Sequence, residues 1–503
     1  MRAALLSLAL VAAVGLVKLP EPFMGDQALA TLMGAKLAHG GALYRDLWDL
    51  KQPGIFVFYA LGGTLFGFSE VGIHAFELIY QLSFAVTLLW LLPTFYLRSR
   101  GVAALAPILT VGLYYGMARA QHQTQTEALV GFPMFLTLWL SLGGPDRPRW
   151  RCVVSGLLGG VVLVFKMALL PIVAMFWAVG GVDWAARGRR SLLVFVALVT
   201  AGAIVAPLLV VLHLAAHGTL GDAAWTFFRY PREAIALTPI RWYQLVAGAS
   251  WFVARFAPLV ALALIGSSSV SLRSGPDRLT LAMMLWVVLG AGVILGQVIS
   301  WWEYHYLLLV VPLGLLATKG IDLLWPSLDA AATRRARTVR RAAALASLVV
   351  LFLPALAGPL VRARLLVANG LALRPAARER YQDELSEEYA SVRREVVTLP
   401  RGTPPQRDLY VFGTPVYYFL ADREPPISLL ASWFTSTPEL WDRLFRDLDA
   451  ARPAHVLVDP RAMDAVRNRS PSVATYIDDI GAFLDRSYAI ERTTPAGVWY
   501  VRR

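Results

Sequence analysis

The sequence predicts a mainly α-helical, polytopic membrane protein of about eleven spans with a small extracytoplasmic α/β domain at its C-terminus. Of its 503 residues, 57% are hydrophobic and 16% are charged, and the mean hydropathy is +0.55. A soluble globular core does not hide so much apolar surface. The formal net charge is +13, but the arginines stand in short clusters between apolar runs, as in the cytoplasmic loops of polytopic proteins. Nucleic acid is therefore not an expected partner.

Apolar runs of spanning length recur along most of the chain. The run at 152–182 is too long for one upright helix and contains Lys166 and Pro171, so we interpret it as two short crossings that meet near Lys166. The run at 3–19 resembles a signal peptide in length, but no small-residue cleavage motif leads into a soluble domain, so we take it as the first span. The remaining runs are 71–97, 102–118, 128–142, 191–215, 246–265, 279–300, 304–324 and 342–361.

The distribution of arginine predicts the orientation. A cytoplasmic N-terminus places five basic clusters in the cytoplasm, provided that the short apolar run 55–66 lies at the interface and does not cross. The C-terminal domain is then extracytoplasmic, and the expected location is the plasma (inner) membrane. The clusters are Arg98/Arg100, Arg147/Arg149/Arg151, Arg187/Arg189/Arg190, Arg273/Arg278 and Arg334/Arg335/Arg337/Arg340/Arg341.

Two domains are expected. The first, 1–361, is the transmembrane domain, and its first outer loop, 20–70, carries interfacial helices. The second, 362–503, begins with an amphipathic helix at 374–399, in which apolar residues recur at helical spacing. Buried-type strands follow at 409–412 and 455–458, with a helix at 438–448 between them, a second helix at 476–484 and a terminal hairpin around 495–497.

The first outer loop concentrates charge at the membrane boundary. Because charged groups are costly to desolvate there, such a group indicates a functional cavity. Composition alone favours a simpler interpretation, in which Asp26 caps the helix that starts beside it. The charged residues are Asp26, Lys36, Arg45, Asp46, Asp49 and Lys51.

The order of motifs in this loop resembles the opening loop of the GT-C glycosyltransferases. The helix after Asp26 ends in His-Gly-Gly at 39–41, followed by Leu-Tyr-Arg-Asp at 43–46 and Lys-Gln-Pro-Gly at 51–54, and the next apolar run closes in Phe-Gly at 66–67. GT-C enzymes use polyprenyl-phosphate sugars, and they include the protein O-mannosyltransferases and the lipid A aminoarabinose transferases.

The resemblance continues through the chain. Ala118-Arg119 followed by Glu127 resembles the family's second outer loop, and Lys166 stands where the family often has a lysine within an apolar run. The Tyr-His-Tyr turn at 304–306, which leads to Val-Pro at 311–312, resembles the family's late aromatic-histidine turn. The segment 409–413, followed by Pro-Val-Tyr-Tyr at 415–418, resembles the external domain of many bacterial members. Two departures are present: Gln27 replaces the family's second acid, and Gln52 replaces a proline. With a single carboxylate at that point, a divalent metal is not indicated.

The resemblance implies roles for individual residues. Asp26 is the expected general base and Glu127 a second acidic group that orients the acceptor or the base, while Lys51 pairs with the lipid phosphate. A phosphate leaving group needs cations more than a proton donor, and direct attack by the acceptor inverts the anomeric centre. Asp46, Asp49 and Arg119 are expected to support the acceptor or the loop.

Arg229 and His305 are two further expected contacts to the donor phosphate, and each also has a simpler interpretation. Arg229 lies in an aromatic and basic loop that also fits an interfacial belt. His305 follows Glu303 at a helix start, where a packing histidine is equally common. With seven histidines and one cysteine, no transition-metal set stands out, and no cofactor is expected.

The sequence thus predicts an inverting glycosyltransferase that moves a sugar from a polyprenyl-phosphate carrier to an extracytoplasmic hydroxyl of a glycan, a lipid or a protein. The bilayer is its other partner. A multi-span transporter or flippase is the alternative, since embedded charges also mark translocation paths. Against it, the sequence shows no paired broken helices in two related halves. A scaffold that has lost activity is a third interpretation, which the Gln27 departure keeps open.

Overall fold

The structure, a computed structural model, describes residues 1–268, 270, 275–298, 300–329, 333–400, 406–430 and 434–503. The chain forms two compact units, and each is described by itself. The first unit comprises Met1–Pro20, Val71–Leu209 and Trp242–Leu371, and the second comprises Glu21–Glu70, Val210–Arg241 and Ala372–Arg503.

The described residues are mainly helical. The helices are α1 (Arg2–Leu16), α2 (Gly25–Ala38), α3 (Pro53–Phe66), α4 (Glu70–Phe95), α5 (Arg100–Ala103), α6 (Leu113–Met117), α7 (Thr126–Leu129), α8 (Gly131–Ser141), α9 (Trp150–Phe165), α10 (Leu170–Ala186), α11 (Arg189–Ala216), α12 (Leu220–Ala224), α13 (Tyr230–Leu237), α14 (Trp242–Ser267), α15 (Gly275–Leu295), α16 (Val310–Asp329), α17 (Arg334–Phe352), α18 (Pro354–Ala368), α19 (Pro375–Leu385), α20 (Glu387–Val396), α21 (Val416–Ala421), α22 (Pro438–Ala451), α23 (Pro460–Arg469), α24 (Ala474–Asp478) and α25 (Ile480–Leu484). The strands are β1 (Leu409–Phe412), β2 (His455–Val458), β3 (Tyr488–Thr494) and β4 (Gly497–Arg502).

Long apolar helices make this a multi-pass helical membrane protein. Among the described residues, six helices are long and apolar enough to cross a membrane, or seven if α17 and α18, bent by 66°, form one span. Apolar helices of 10–17 residues occur at four further places: Arg2–Leu16, Pro53–Phe66, Thr126–Ser141 and Trp150–Phe165. The predicted count of eleven spans is not confirmed, because several predicted crossings correspond to helices shorter than a full span. Arg273, one of the orienting arginines, lies outside the described residues.

The break predicted at Lys166 is present. Helix α9 ends at Phe165, Lys166 is extended (φ −162°, ψ 103°), and a short 3-10 turn at Met167–Leu169 leads into α10. Pro171 stands in the first turn of α10, where its missing N–H interrupts no helical hydrogen bond. This break brings the Lys166 side chain out of a helix in the middle of a long apolar run.

Backbone-to-backbone contact joins α14 and α16 in the first unit. A Cβ at Gly266 would overlap the carbonyl oxygen of Leu316, and a Cβ at Gly320 would overlap that of Leu262. Small residues at a helix crossing allow the two backbones to approach, as is common in membrane bundles.

The second unit contains a four-stranded sheet in the order β1-β2-β4-β3. Strands β1 and β2 are parallel, with Leu409 opposite His455, while β4 is antiparallel to both β2 and β3. Helix α22 buries an apolar stripe at helical spacing, formed by Leu440, Trp441, Leu444 and Leu448. The two predicted strands and the terminal hairpin are confirmed at their predicted positions.

Two helix predictions need correction. The single amphipathic helix expected at 374–399 is two helices, α19 and α20, because Ser386 is extended and its side chain caps α20 by accepting from the Tyr389 N–H. The helix expected at 476–484 is the pair α24 and α25.

A separate C-terminal domain is not confirmed, since 372–503 form one unit with 21–70 and 210–241. The division at residue 361 stays a prediction.

The α14–α16 crossing gives a test of the fold. Gly266→Leu forces a side chain into the backbone of α16, and overpacking of this kind typically costs about 1–3 kcal/mol. We expect a lower melting temperature of the detergent-solubilised protein by differential scanning fluorimetry. Gly292→Leu is the matched control, because a Cβ there meets nothing within 4 Å. Equal melting temperatures for the two variants would contradict the crossing.

Candidate functional site

Helix α2 in the second unit presents Asp26 in its first turn. The helix begins at Gly25 with Met24 as the N-cap, and the Gln27 side chain accepts a hydrogen bond from the Met24 N–H at 2.8 Å. The capping bond is therefore made by Gln27, which is buried, and the interpretation of Asp26 as the cap is wrong. The Asp26 carboxylate is left for another partner.

That partner is Lys51, which lies between two aspartates. Its Nζ is 3.0 Å from Asp49 Oδ2 and 3.5 Å from Asp26 Oδ1. The Asp49 side chain is fully buried, whereas 26% of the Asp26 side chain is exposed. A molecule entering from solvent therefore reaches Asp26 and not Asp49.

Burial and charge act in opposite directions on this trio. Burial raises the pKa of Asp49, and the neighbouring Lys51 opposes that rise only in part. Burial by itself would lower the pKa of Lys51, but the charges of Asp26 and Asp49 outweigh it, so the net shift is upward and Lys51 stays protonated. The ammonium has three N–H donors. If Asp26 and Asp49 each take one of these donors, the third N–H of Lys51 can bond to a further anion.

The loop around this trio is held by local bonds. The Tyr44 hydroxyl donates to the Lys51 carbonyl at 2.9 Å, and Tyr44 itself has a left-handed backbone (φ 69°). Asp46 Oδ2 accepts from the Ala42 N–H at 2.8 Å and so closes a turn. Asp46 therefore supports the loop and is not part of the Asp26–Lys51–Asp49 trio.

Arg229 is exposed and already engaged. It ends a π-helical turn (Trp225–Arg229), 64% of its side chain is exposed, and it pairs with Glu233 at 2.7 Å and with Glu439 at 3.5 Å. The charge of Arg229 is thus largely solvated and is paired with carboxylates that are themselves partly exposed. This environment favours the interfacial interpretation.

In the first unit, Glu127 lies in a buried ion pair. Its side chain is 4% exposed and Oε1 is 2.5 Å from Lys166 Nζ, which also donates to Gln297 Oε1 at 2.8 Å. His305 Nε2 is 3.9 Å from the same Glu127 oxygen. The break between α9 and α10 positions Lys166, and the first turn of α7 positions Glu127.

A second group of charges in the first unit contains Arg119. Its guanidinium is 3.1 Å from Glu303, which is also 3.4 Å from His122 Nε2. Burial lowers the pKa of the His122 imidazole. The Arg119 charge is thus paired with the carboxylate of Glu303, which lies two residues before His305 in the sequence.

Within the described ranges, no group of three or more histidine, cysteine, aspartate or glutamate side chains could hold a metal ion. Cys152 is a buried free thiol.

Solved structures resemble this chain over nearly its whole length. ArnT from Cupriavidus metallidurans, crystallised bound to undecaprenyl phosphate and in the apo state, is 16% identical, with a TM-score of 0.57 over 99% of this chain and 97% of ArnT. The apo oligosaccharyltransferase of Archaeoglobus fulgidus is 12% identical, with a TM-score of 0.50 over 99% of this chain and 74% of that protein. No protein-family model matches the sequence, and no curated protein matches it.

The chain shares the fold of these solved structures. At these identities the likeness concerns the fold, and the chemistry has to be argued from the residues.

Within this fold, the predicted site residues form three groups. Asp26, Asp49 and Lys51 are together in the second unit, Glu127 and His305 are together in the first, and Arg119 belongs to the Glu303 group. Asp46 and Arg229 stand outside these groups. Glu303, His122 and Gln297 have no predicted role. Lys166 is predicted to interrupt a long apolar run and resembles a lysine of the family, but it is not among the predicted site residues. A lone lysine inside an apolar run was the available signal for Lys166.

The buried trio gives a stability test. Lys51→Met removes the cation beside a fully buried aspartate, and breaking a buried pair in this way costs roughly 3–5 kcal/mol. We expect a clearly lower melting temperature at pH 7. In the double variant Lys51→Met/Asp49→Asn no buried charge is stranded, so much of the loss should be recovered.

The same variant gives a pH test. Without Lys51 the raised pKa of Asp49 rises further, so the folded state binds a proton more readily than the unfolded state. The stability deficit of Lys51→Met relative to wild type should therefore shrink as the pH falls from 7 to 5. A deficit that is constant over this range would contradict the charge argument, and Lys36→Met, which removes a partly exposed partner of Glu424, is the control.

Proposed function

We propose that this protein is an inverting glycosyltransferase, which moves a sugar from a polyprenyl-phosphate carrier to an extracytoplasmic hydroxyl. The observation that carries the proposal is the partly exposed Asp26 carboxylate, paired with a lysine that a fully buried aspartate holds in place. The GT-C fold supports it, and so does the undecaprenyl phosphate bound to the structural neighbour ArnT.

Asp26 is proposed to act as the general base. The acceptor O–H gives its proton to Asp26 while its oxygen attacks the anomeric carbon, and the bond from that carbon to the phosphate oxygen breaks. The electron pair leaves with the polyprenyl phosphate, and the configuration at the anomeric carbon inverts. No glycosyl-enzyme intermediate is involved, so one reachable carboxylate is enough. Asp49 is proposed to support this site by fixing Lys51.

Lys51 is proposed to bind the donor phosphate by donating to it the N–H that its two aspartates leave unused. Of the other proposed phosphate contacts, His305 faces the Glu127 group. Arg229 is the weakest candidate, because 64% of its side chain is exposed to solvent, whereas only 15% of the Lys51 side chain is. No metal takes part in this proposal.

Glu127 is proposed to orient the acceptor, acting through Lys166. Its carboxylate is buried and lies 2.5 Å from that ammonium, so it cannot be reached as readily as Asp26. Lys166 bonds to Glu127 and Gln297, which leaves a third N–H for a ligand oxygen. The acceptor class, whether glycan, lipid or protein, stays open.

The decisive assay measures release of free polyprenyl phosphate from a panel of polyprenyl-phosphate sugars by the purified protein. Asp26→Asn should lower kcat by about 10²–10⁴-fold, the usual contribution of a general base. Asp146→Asn is the control, since Asp146 forms an exposed ion pair with Arg187.

Three outcomes are informative. Release by wild type and by Asp146→Asn, with loss in a folded Asp26→Asn, supports the proposal. Equal release by all three proteins removes Asp26 from the base role. Transport of the intact lipid-linked sugar by wild type, with no cleavage from any donor, would replace the transferase with a flippase.

The proposed topology has eleven crossings of the plasma (inner) membrane. The N-terminus lies on the cytoplasmic side, and the C-terminal region lies on the extracytoplasmic side. Arginine clusters between apolar helices support this orientation. Arg335, at the start of α17, would then be cytoplasmic, and Arg380, in α19, would be external.

Cysteine labelling tests the orientation. In a Cys152→Ala background, we expect an impermeant maleimide to label Arg380→Cys in intact cells and to label Arg335→Cys only after the membrane is permeabilised. Both side chains are exposed, so access depends on the membrane alone. Labelling of position 335 from outside would overturn the proposed topology.

A further inference from the structure

Helix α4 carries polar side chains in a stripe that the site residues do not explain. Glu77, Tyr80 and Gln81 are separated by three and four residues, so they share one face of an otherwise apolar helix. Polar groups within a membrane-spanning helix are costly and usually mark a function. All three bond to one segment, Thr124–Leu129, within the first unit.

Glu77 holds the start of this segment. Its buried carboxylate accepts hydrogen bonds from the Thr124 N–H at 3.2 Å and from the Thr124 hydroxyl at 3.0 Å, and the Tyr114 hydroxyl donates to it at 2.5 Å. Thr124 has a left-handed backbone (φ 53°), which is unfavourable for a β-branched residue. Such a conformation costs about 1–3 kcal/mol and persists only where its surroundings impose it.

Tyr80 and Gln81 hold the other end. The Gln81 side-chain amide donates to the Ala128 carbonyl at 3.2 Å, and the Tyr80 hydroxyl donates to the Leu129 carbonyl at 2.7 Å. The usual helical donor to Leu129 would be the N–H of residue 133, but Pro133 has none. Tyr80 therefore supplies a hydrogen bond that the helix itself cannot make.

Glu127 lies between these two anchor points. Glu77 holds the backbone at Thr124, three residues before Glu127. Gln81 and Tyr80 hold it at Ala128 and Leu129, the two residues that follow Glu127. A carboxylate fixed in this way meets Lys166 in one geometry, at 2.5 Å. Side chains whose supporting contacts are locked keep a site within the small tolerance that catalysis requires.

We infer that Glu77, Tyr80 and Gln81 form a brace that positions Glu127, and through it Lys166, for the reaction. The three are positioning residues: they bond to the backbone around Glu127 and to no reacting group. This inference rests on the proposed role of Glu127 in the transferase reaction.

The first measurement does not depend on activity. Hydrogen–deuterium exchange of the full-length protein in nanodiscs should show faster exchange in peptides covering 118–129 for Glu77→Gln, and for Tyr80→Phe/Gln81→Leu, than for wild type. Ser83→Ala/Thr87→Val is the matched control, because these hydroxyls also bond from α4 to backbone carbonyls, but to those of Ile79 and Ser83 within α4. Exchange in 118–129 that matches wild type in both brace variants would overturn the brace.

The second measurement is kinetic. Misplacement of the orienting group should lower kcat for release of polyprenyl phosphate by roughly 10-fold to 100-fold, with KM within about twofold of wild type. In a Glu127→Gln background, the same brace substitutions should cause little further loss, because they act through Glu127. Losses that add fully in that background, or fast exchange with unchanged kcat, would reduce the brace to a structural role and overturn the inference.

A rescue variant separates positioning from general damage. Glycine adopts the left-handed conformation at position 124 without the penalty that threonine carries. Glu77→Gln/Thr124→Gly should therefore regain part of the kcat lost in Glu77→Gln, whereas Glu77→Gln/Thr124→Val should not. Absence of this difference would contradict the role of Thr124.

If wild type itself releases no lipid phosphate, the transferase proposal fails while the exchange result still decides whether the brace exists. If wild type is active and the brace variants exchange and turn over like wild type, only the brace fails.

Discussion

A carboxylate withdrawn from water must be held by cations or by N–H and O–H donors, and this requirement organises the polar interior of both units. Asp49 has Lys51, Glu127 has Lys166, and Glu77 has the hydroxyls of Tyr114 and Thr124. Each pairing fixes a stretch of chain that would otherwise be free to move. The same constraint selects Asp26, because it is the carboxylate of its trio that retains access to solvent.

The two units use different means to place their charged groups. In the second unit a loop between α2 and α3 carries Asp49 and Lys51, and local bonds from Tyr44 and Asp46 shape it. In the first unit, interruptions between helices place the charged groups. Helix α9 ends before Lys166, and Thr124 has a left-handed backbone before α7 begins. Breaks in membrane helices release backbone and side-chain groups for binding, provided that neighbouring side chains satisfy them.

Sequence reasoning located much of the candidate site but assigned some environments wrongly. The first outer loop was identified from its concentration of charge, and three of its charged residues do form one cluster. Capping by Asp26 was wrong, because Gln27 makes the capping bond from inside the helix. A mixture of arginine and aromatic residues predicts a phosphate contact at Arg229, but the structure shows a largely exposed side chain paired with Glu233 and Glu439.

Apolar run lengths, arginine clusters and short buried-type apolar runs determined the membrane class, the break at Lys166 and the positions of β1 and β2, since each depends on residues that are near in sequence. Only the tertiary structure determined which charged side chains form ion pairs with each other. Glu127 finds Lys166 39 residues away and Gln297 lies 131 residues beyond that lysine. Such pairings follow from helix packing across the chain, because the energy of a buried charge depends on every group around it and not on its local sequence.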